Sequence, residues 1–277
     1  MTDNRIPLAG VIGAPVAHSK SPTLHGFWLR KYGLKGHYVP MHVDSEDLDN
    51  VLRTLPKLGF VGTNVTIPHK ERVLSIADSV SDRAAVMGAA NTLTFRDDGT
   101  IMADNTDGYG FIENLRAGAP DWKASDGPAA VIGAGGASRA VISSLIEAGC
   151  PEIRLTNRTK TRSEALRQEF GTRVNVVDWV QAGNMFDGAA LVANASSLGM
   201  DGKPEMRIPL DDISADAVVT DLVYTPLMTP LLSHASSIGC RTVDGLGMLL
   251  HQAVPGFERW FGVRPEVDED LRQVVLG

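Results

Sequence analysis

The sequence predicts an α/β protein of two domains, each built on a sheet of buried strands. At 277 residues the chain is long enough for two domains with separate cores. Short apolar runs alternate with helical patterns along the chain, which is typical of sheets covered by helices. No internal repeat, low-complexity tract or linker rich in proline and serine interrupts this alternation.

The composition is that of an ordinary soluble globular protein, with 43% hydrophobic and 21% charged residues. A net charge of −7, from 26 cations and 33 anions, argues against nucleic acid or an anionic membrane as the partner. The chain shows no signal-peptide pattern and no apolar run of membrane-spanning length, so we expect a cytoplasmic protein. Cys150 and Cys240 match no metal-binding spacing, so we expect reduced thiols and no metal.

The first half of the chain predicts three strands, each followed by a helix. The strands are expected over 8–12, 37–43 and 60–67, and the helices over about 21–32, 45–58 and 68–80. A hairpin follows, with strands at 91–96 and 100–104 around an Asp-Asp-Gly turn. The pattern therefore predicts an α/β unit that ends in antiparallel strands.

The first of these helices begins at a serine followed by a proline. Ser21 suits the N-cap position and Pro22 the first helical position, so Ser21 has a structural explanation. Ser19 has none, and it follows the end of the first predicted strand. Ligands of open α/β sheets bind at that end of the strands, which makes this pair of serines a candidate ligand site.

The helix expected over 68–80 begins at Pro68, which places Lys70 in its first turn. The positive end of the helix dipole disfavours a cation there, which would help the ammonium group to exchange a proton. Lys70 is therefore a candidate acid–base group, with an ordinary surface lysine as the alternative.

Two further polar residues lie beside or within predicted apolar helices and have no evident structural role there. Four polar residues, 104–107, precede a helix expected at 109–115, and one of them suffices as a cap. Asp107 is then a surplus carboxylate and a candidate catalytic group, although Asp104 could equally be the cap. One helix is expected over 248–261, where Gln252 is a lone uncharged polar group that either contacts a ligand or faces solvent.

The second half of the chain is organised around a strand, a glycine turn and a helix. The strand is expected at 129–132, the turn at 133–136 contains three glycines, and the helix runs from about 137 to 148. Glycines let the backbone approach a pyrophosphate, and the N–H groups of the helix start face its charge. This context favours a dinucleotide-binding fingerprint. The third fingerprint position holds Ser138 instead of Gly or Ala, so a tight strand-to-helix connection remains an alternative.

The next predicted strand, 153–156, ends in a basic segment at 157–162. An NAD-binding unit normally has an acidic residue about twenty residues past the glycines, which binds the ribose 2′-hydroxyl. Here Asn157 stands near that place, and Arg158 and Arg162 could bind a 2′-phosphate through charge-assisted hydrogen bonds. The sequence therefore predicts NADP as the cofactor, with a solvated basic helix start as the alternative.

Further buried strands complete a βαβ series in this half. They are expected over 174–177, 191–195 and 218–222, with a short last strand that begins at 241. Their ends would lie at one edge of a parallel sheet, where the nicotinamide half of a dinucleotide would bind.

Seven segments together resemble the shikimate dehydrogenase family, in the family's order and spacing. They are SKSP at 19–22, NVTIPHK at 64–70, ANTL at 90–93, DNTDG at 104–108, GAGGAS at 133–138, NRT at 157–159 and DGLGML at 244–249. Ser138, which departs from the general fingerprint, is the residue that this family usually shows. The resemblance implies an N-terminal α/β substrate domain at 1–106, completed by helices at 246–277, and a Rossmann-type parallel-sheet dinucleotide domain at 107–245.

The resemblance also implies reversible, NADP-linked reduction of 3-dehydroshikimate to shikimate, in the pathway to aromatic amino acids. Lys70 and Asp107 would form the catalytic pair. The implied substrate-binding residues are Ser19, Ser21, Thr66, Asn91, Asp107, Tyr224 and Gln252. The implied cofactor-binding residues are Asp82, Gly133, Ala134, Gly135, Gly136, Ala137, Asn157, Arg158, Thr159, Lys160, Thr161, Arg162, Leu222 and Gly245.

Two rival functions follow from the same residues. A quinate/shikimate dehydrogenase resembles the chain but often uses NAD and accepts quinate; the basic segment at 157–162 and the serine at Ser21 favour the shikimate-specific form. A catalytically silent NADP-binding sensor would not need the candidate catalytic and substrate-binding residues. We expect a small-molecule substrate, with neither nucleic acid nor membrane as partner. For the oligomeric state, we consider a homodimer.

Overall fold

The computed structural model describes residues 6–277, which divide into two compact units. The first unit contains the described residues up to Thr106 together with Gln252–Gly277, and the second contains Asp107–His251. Each unit contains a six-stranded sheet, so the α/β class predicted from the sequence is confirmed. The sequence places the return to the first unit at 246, whereas the helix that begins there belongs to the second.

The sheet of the first unit is mixed. Its strands are β1 (Leu8–Gly13), β2 (His37–His42), β3 (Gly62–Val65), β4 (Ser79–Val80), β5 (Thr92–Phe95) and β6 (Ile101–Asp104). Their order across the sheet is β2-β1-β3-β5-β6-β4, and β5 alone among them runs antiparallel to its neighbours. The ends of β1, β3 and β6 and the start of β5 therefore share one edge, called here the carboxyl edge of the first sheet.

Helices cover this sheet because its central strands carry apolar residues on both faces. The helices that precede the second unit are α1 (Ser21–Lys31), α2 (Leu48–Thr54), α3 (Val73–Ile76) and α4 (Asp82–Met87), with a short 3-10 helix at Leu55–Leu58. Neighbouring residues of a strand point to opposite faces. Accordingly Ile12 packs in one core with Leu52 of α2, whereas Val11 packs in another with Tyr38 of β2 and Trp260.

The helix predicted over 68–80 is wrong in most of its length. Only Val73–Ile76 is helical, because Ser79–Val80 pairs with β6 as a parallel strand and α4 follows it. Lys70 lies in a turn before α3 and not in a helical first turn. The helix-dipole argument for Lys70 thus does not apply, since that effect is confined to the ends of a helix.

The sheet of the second unit is parallel throughout. Its strands are β7 (Ala129–Ile132), β8 (Ile153–Thr156), β9 (Val174–Val176), β10 (Leu191–Asn194), β11 (Val218–Asp221) and β12 (Arg241–Val243). Their order is β12-β11-β10-β7-β8-β9, so the chain winds outward in one direction from β7 and then in the other. This doubly wound order confirms the predicted Rossmann-type sheet, whose ligands bind where the strand order reverses.

Helices flank the second sheet on both faces. They are α5 (Asp107–Gly118), α6 (Gly136–Glu147), α7 (Lys160–Phe170), α8 (Pro230–Ser237) and α9 (Leu246–His251). Val131 of β7 packs in one core with Leu145 of α6, and Ile132 packs in the other with Leu231 of α8. Within residues 6–277 no helix has the length and apolar character needed to cross a membrane.

The chain ends with α10 (Val254–Phe261) and α11 (Glu269–Leu276) in the first unit. The single helix predicted over 248–261 is wrong, because Gln252 lies in a turn between α9 and α10. Pro255 accounts for the break, since its nitrogen cannot donate a helical hydrogen bond. Trp260 anchors α10 to the sheet by donating its indole N–H to the Leu93 carbonyl over 3.1 Å.

Candidate active site

The predicted substrate residues of the first unit lie at the carboxyl edge of the first sheet. Ser19 and Ser21 follow β1, Thr66 follows β3, and Asn91 precedes β5. The Thr66 N–H donates to the Ile12 carbonyl over 2.9 Å, which fixes the exit from β3 beside β1. The topology therefore brings three segments that are distant in sequence to one edge of the sheet.

The side chain of Ser19, and not that of Ser21, supports the start of α1. The Ser19 Oγ accepts the N–H of Ser21 over 3.3 Å, so the residue without a predicted structural role supports the helix start. Ser21 is the first residue of α1, and Lys20 occupies the N-cap position without a side-chain cap bond. The prediction of Ser21 as the N-cap is therefore wrong.

Asn91 is buried, and its carboxamide is the centre of a polar cluster. Its Oδ1 accepts the Thr106 N–H over 3.0 Å, the Thr106 hydroxyl over 3.1 Å and the Thr92 hydroxyl over 2.9 Å. Its Nδ2 donates to the Gln252 Oε1 over 3.3 Å. Because a backbone N–H can only donate, it fixes which end of the amide is the oxygen. These four residues are called here the Asn91 cluster.

Asn64 links the Asn91 cluster to a buried tyrosine. The Asn64 Nδ2 donates to the Asn91 carbonyl over 3.0 Å, and its Oδ1 accepts the Tyr38 hydroxyl over 2.7 Å. Burial raises the pKa of the Tyr38 phenol. Tyr38 stacks on His25, with ring centroids 4.0 Å apart. No pattern in the sequence indicates Tyr38, and Asn64 enters the family resemblance only as the first residue of the NVTIPHK segment.

Lys70 is half-buried in the turn between β3 and α3. Its carbonyl accepts the Ala90 N–H over 2.8 Å, so the turn is attached to the residue before Asn91. The preceding residue, His69, is buried, and its Nε2 lies 2.7 Å from the Val43 carbonyl. The backbone around Lys70 is therefore held to the carboxyl edge of the first sheet.

Asp104 is a buried carboxylate at the end of β6. It accepts hydrogen bonds from the Ser81 hydroxyl over 2.6 Å, from Arg259 over 2.6 Å and from Arg83 over 3.2 Å. Burial alone would raise the pKa of Asp104, but these bonds and the two positive charges hold it below its usual value. Asp104 thus joins β6 to α4 and α10 and is not a helix cap. Asp107 is the first residue of α5.

The glycine turn of the second unit connects β7 to α6. Gly133 has φ +111°, and a Cβ there would lie 3.0 Å from the Ala195 carbonyl oxygen, so both conformation and space require glycine. The Ser138 Oγ accepts the Gly135 N–H over 3.2 Å and lies 3.4 Å from the same Ala195 oxygen. Ser138 therefore braces the turn from inside. A Cβ at Gly135 or Gly136 would meet no protein atom, so the outer side of the turn is open to a ligand.

The basic segment begins where β8 ends. Asn157 is half-buried, and Arg158 and Arg162 are exposed. Lys160 forms an ion pair with Asp178 over 3.0 Å. Across the described residues 6–277, neither arginine has an ion-pair partner. The two guanidinium groups are therefore available to an external anion.

A second buried carboxylate lies at the end of β11. Asp221 accepts hydrogen bonds from the Asn194 Nδ2 over 2.9 Å, the Thr229 hydroxyl over 2.7 Å and the Val223 N–H over 3.0 Å. Burial raises the pKa of Asp221 in spite of these bonds. The network holds the backbone on both sides of Leu222, and nothing in the sequence pattern had indicated it.

The structure brings Leu222 and Gly245 together at this edge of the second sheet. A Cβ on Gly245 would lie 2.5 Å from the Leu222 carbonyl oxygen, so the approach requires glycine. Tyr224 lies two residues after Leu222 and is 39% exposed.

Asp82, predicted with the cofactor residues, is exposed at the start of α4 in the first unit. Among the described residues no group of three or more His, Cys, Asp or Glu side chains could hold a metal ion.

Three family models match this chain. The shikimate dehydrogenase substrate binding domain matches residues 11–93, the shikimate / quinate 5-dehydrogenase model matches 119–198, and the shikimate 5′-dehydrogenase C-terminal domain matches 245–275. A shikimate dehydrogenase (NADP(+)) of Ruegeria sp. (strain TM1040) is 65% identical over 276 residues, which cover 100% of both chains. The chain belongs to the shikimate dehydrogenase family.

Other members and similar structures agree over the whole length. The shikimate dehydrogenase (NADP(+)) of Paracoccus denitrificans (strain Pd 1222) is 65% identical over 275 residues, covering 99% of this chain and 98% of the relative. The shikimate 5-dehydrogenase of Thermus thermophilus, solved with NADP(H) and shikimate, has a TM-score of 0.85 at 36% identity, covering 98% and 99% of the two chains. The quinate dehydrogenase of Corynebacterium glutamicum, solved with NAD, has a TM-score of 0.89 at 31% identity, covering 97% and 98%.

Proposed function

We propose that this chain catalyses the reversible, NADP-dependent reduction of 3-dehydroshikimate to shikimate in aromatic amino acid biosynthesis. The observation that carries the proposal is the 65% identity, over the full length, to a shikimate dehydrogenase (NADP(+)). The geometry of each unit agrees with it. The first unit offers polar groups for a small hydroxylated acid, and the second offers an open glycine turn and two unpaired arginines.

The first unit is proposed as the substrate domain. Its carboxyl edge presents hydroxyls and carboxamides that buried hydrogen bonds hold in place. Such groups discriminate the hydroxyl positions of a rigid ring better than cations alone, because an unmatched hydroxyl leaves them without a partner. Ser19 and Ser21 are assigned to the substrate carboxylate. Thr66, Asn91 and Gln252 are assigned to the ring hydroxyls, and the assignment of Tyr224 rests on the resemblance.

Lys70 and Asp107 are proposed as the acid–base pair. In the reductive direction Lys70 gives a proton to the oxygen of the ring carbonyl as the carbonyl carbon gains a hydride. In the oxidative direction Lys70 takes that proton back from the hydroxyl. The support for Lys70 is its half-buried place in a turn held to the carboxyl edge of the first sheet, and Asp107 is supported by its match to the DNTDG segment.

The second unit is proposed as the NADP domain, at residues 107–251, and its residues fit that cofactor. The open side of the glycine turn at the start of α6 leaves room for a pyrophosphate, and Arg158 and Arg162 provide donors for a 2′-phosphate. Bound NADPH would supply the hydride, and NADP would accept it in reverse. Leu222 and Gly245 are assigned to the nicotinamide end. The remaining assignments rest on position: Asp82, Ala134, Ala137, Asn157, Thr159, Lys160 and Thr161.

The rival function is a quinate dehydrogenase that uses NAD, since the structure of a quinate dehydrogenase in complex with NAD is similar to this chain. Arg158 and Arg162 favour NADP, because NAD has no 2′-phosphate to bind them. The serine at Ser21 favours shikimate, as in the shikimate-specific relatives that the chain resembles. A silent NADP-binding sensor is disfavoured because it would not need Lys70 or the Asn91 cluster.

The test is the absorbance of reduced nicotinamide with shikimate or quinate, each combined with NADP or NAD. We expect fast reduction with shikimate and NADP, and a kcat/KM at least tenfold lower in the other three pairings. Comparable rates with quinate and NAD would move the chain to the dual-specificity relatives. No turnover in any pairing would refute the proposed reaction.

We also propose that the enzyme is a homodimer of the cytoplasm. The support for a dimer is β2, a six-residue edge strand with largely exposed side chains that a second copy could cover. Light scattering at micromolar concentration decides the assembly: a mass of one chain would contradict the dimer.

The support for the compartment is that Cys150 and Cys240 are buried and unbridged, as in proteins of reducing compartments.

A further inference from the structure

We propose that Tyr38 is a positioning residue for substrate binding, acting through Asn64. Tyr38 lies on β2 and belongs to none of the seven segments that carry the family resemblance. Its phenol begins the hydrogen bonds that reach the Asn91 cluster through Asn64. The inference rests on the proposed function, since it takes shikimate as the ligand of the first unit.

A series of amide and hydroxyl groups joins Tyr38 to the Asn91 cluster. The Tyr38 hydroxyl donates to the Asn64 Oδ1 over 2.7 Å, and the Asn64 Nδ2 donates to the Asn91 carbonyl over 3.0 Å and to the Thr92 Oγ1 over 3.2 Å. Because the Thr92 oxygen accepts that bond, its own proton is directed to the Asn91 Oδ1, 2.9 Å away. Each group therefore has one donor direction, and Tyr38 begins the series.

Without the phenol, the Asn64 Oδ1 loses the hydrogen bond that Tyr38 donates to it. The Asn64 Nδ2 still donates to the Asn91 carbonyl, so the amide keeps its orientation, but its side chain is held at one end instead of both. The bond from Asn64 to the Thr92 hydroxyl would then be less fixed, and with it the Asn91 carboxamide that Thr92 supports.

The ring of Tyr38 holds the start of α1 as well. It stacks on His25 with an interplanar angle of 3°. His25 lies four residues after Ser21, and residues at this spacing lie on one face of a helix. Burial lowers the pKa of His25 to about 3, so the ring that stacks on Tyr38 is neutral. The ring thus holds the start of α1, and the hydroxyl holds the side chain of Asn64.

Tyr38→Phe separates these two effects, because phenylalanine keeps the ring and removes the hydroxyl. We expect the dissociation constant for shikimate, measured by calorimetry without cofactor, to rise about tenfold or more. We expect the KM for shikimate to rise with it, and kcat and the dissociation constant for NADP to change by less than about twofold.

Thr63→Val is the matched control. Thr63 is buried next to Asn64, and its hydroxyl lies 2.9 Å from the Gly10 carbonyl and 3.0 Å from the backbone carbonyl of Asn64, with no bond to the Asn64 side chain or to the Asn91 cluster. It should lower the melting temperature without changing the affinity for shikimate. If Tyr38→Phe likewise lowers only the melting temperature, the role of Tyr38 is merely structural and the proposal is overturned.

A double-mutant cycle with Asn64→Ala gives a second test. Since Tyr38 is proposed to act through Asn64, the double variant should lose less affinity for shikimate than the sum of the two single losses. Additive losses would overturn the proposal. If the unaltered protein binds no shikimate, the proposed function fails and this inference fails with it; if it binds and Tyr38→Phe binds equally, this inference alone fails.

Discussion

Lys70→Ala is expected to lower kcat for shikimate oxidation by about 10²–10⁴-fold, the usual contribution of a positioned general acid or base. The reason is that the substrate hydroxyl must lose its proton as the neighbouring C–H bond breaks, and alanine cannot accept it. The dissociation constant for NADP should change by less than about twofold, because Lys70 lies in the first unit, away from the glycine turn along the chain. Initial rates and cofactor titrations measure the two quantities.

The control for this variant is Lys57→Ala. Lys57 is an exposed lysine of the same unit, in the 3-10 helix that follows α2. The Lys57→Ala variant removes the same charge as Lys70→Ala, and we expect it to leave kcat unchanged. If Lys70→Ala retains the kcat of the unaltered enzyme, Lys70 has no part in proton transfer.

Replacing both Arg158 and Arg162 by alanine is expected to lower kcat/KM for NADP by on the order of a hundredfold. Each arginine can form a charge-assisted hydrogen bond worth about 1.5–3 kcal/mol, and exposure to solvent favours the lower figure. About 1.4 kcal/mol corresponds to a factor of ten, so two such bonds give this loss. The kcat/KM for NAD should change by less than about threefold, because NAD has no 2′-phosphate.

Arg167→Ala on the same helix is the control for the arginine pair. Arg167 is exposed in α7 and forms an ion pair with Glu164 over 3.6 Å. Its removal should leave both cofactors unaffected. Equal losses with NADP and NAD in the double variant would mean that the arginines support the fold or the shared part of the cofactor and do not select NADP.

The second unit could be predicted closely from the sequence because its signals are local. The strand at 129–132 was predicted with the bounds that β7 has, since a buried run is followed directly by a glycine turn. The first unit was harder to predict where the secondary structure of a segment depends on its pairing with a strand that is distant in sequence. Ser79–Val80 is a strand because it pairs with β6, and no local feature of the segment at 68–80 indicates this partner.

The residues of the candidate site also fall into two groups, those that the local sequence indicates and those that it does not. Lys70, Asn91 and the glycine turn lie in short segments whose residue types already indicate chemistry. Tyr38 and Asn64 are joined across 26 residues, and Asp104 and Arg259 across 155, so their roles appear only when the fold brings them together. A tyrosine on a predicted strand looks like an ordinary core residue until its hydroxyl has a partner.

The most direct test of the central claim uses shikimate labelled with deuterium at the carbon that carries the oxidised hydroxyl. After oxidation in the presence of NADP, mass spectrometry of the reduced cofactor locates the label. We predict one deuterium on the nicotinamide ring per turnover, together with a slower rate than with unlabelled shikimate when hydride transfer limits the reaction. Deuterium found in water, with an unlabelled cofactor, would contradict direct hydride transfer and with it the proposed function.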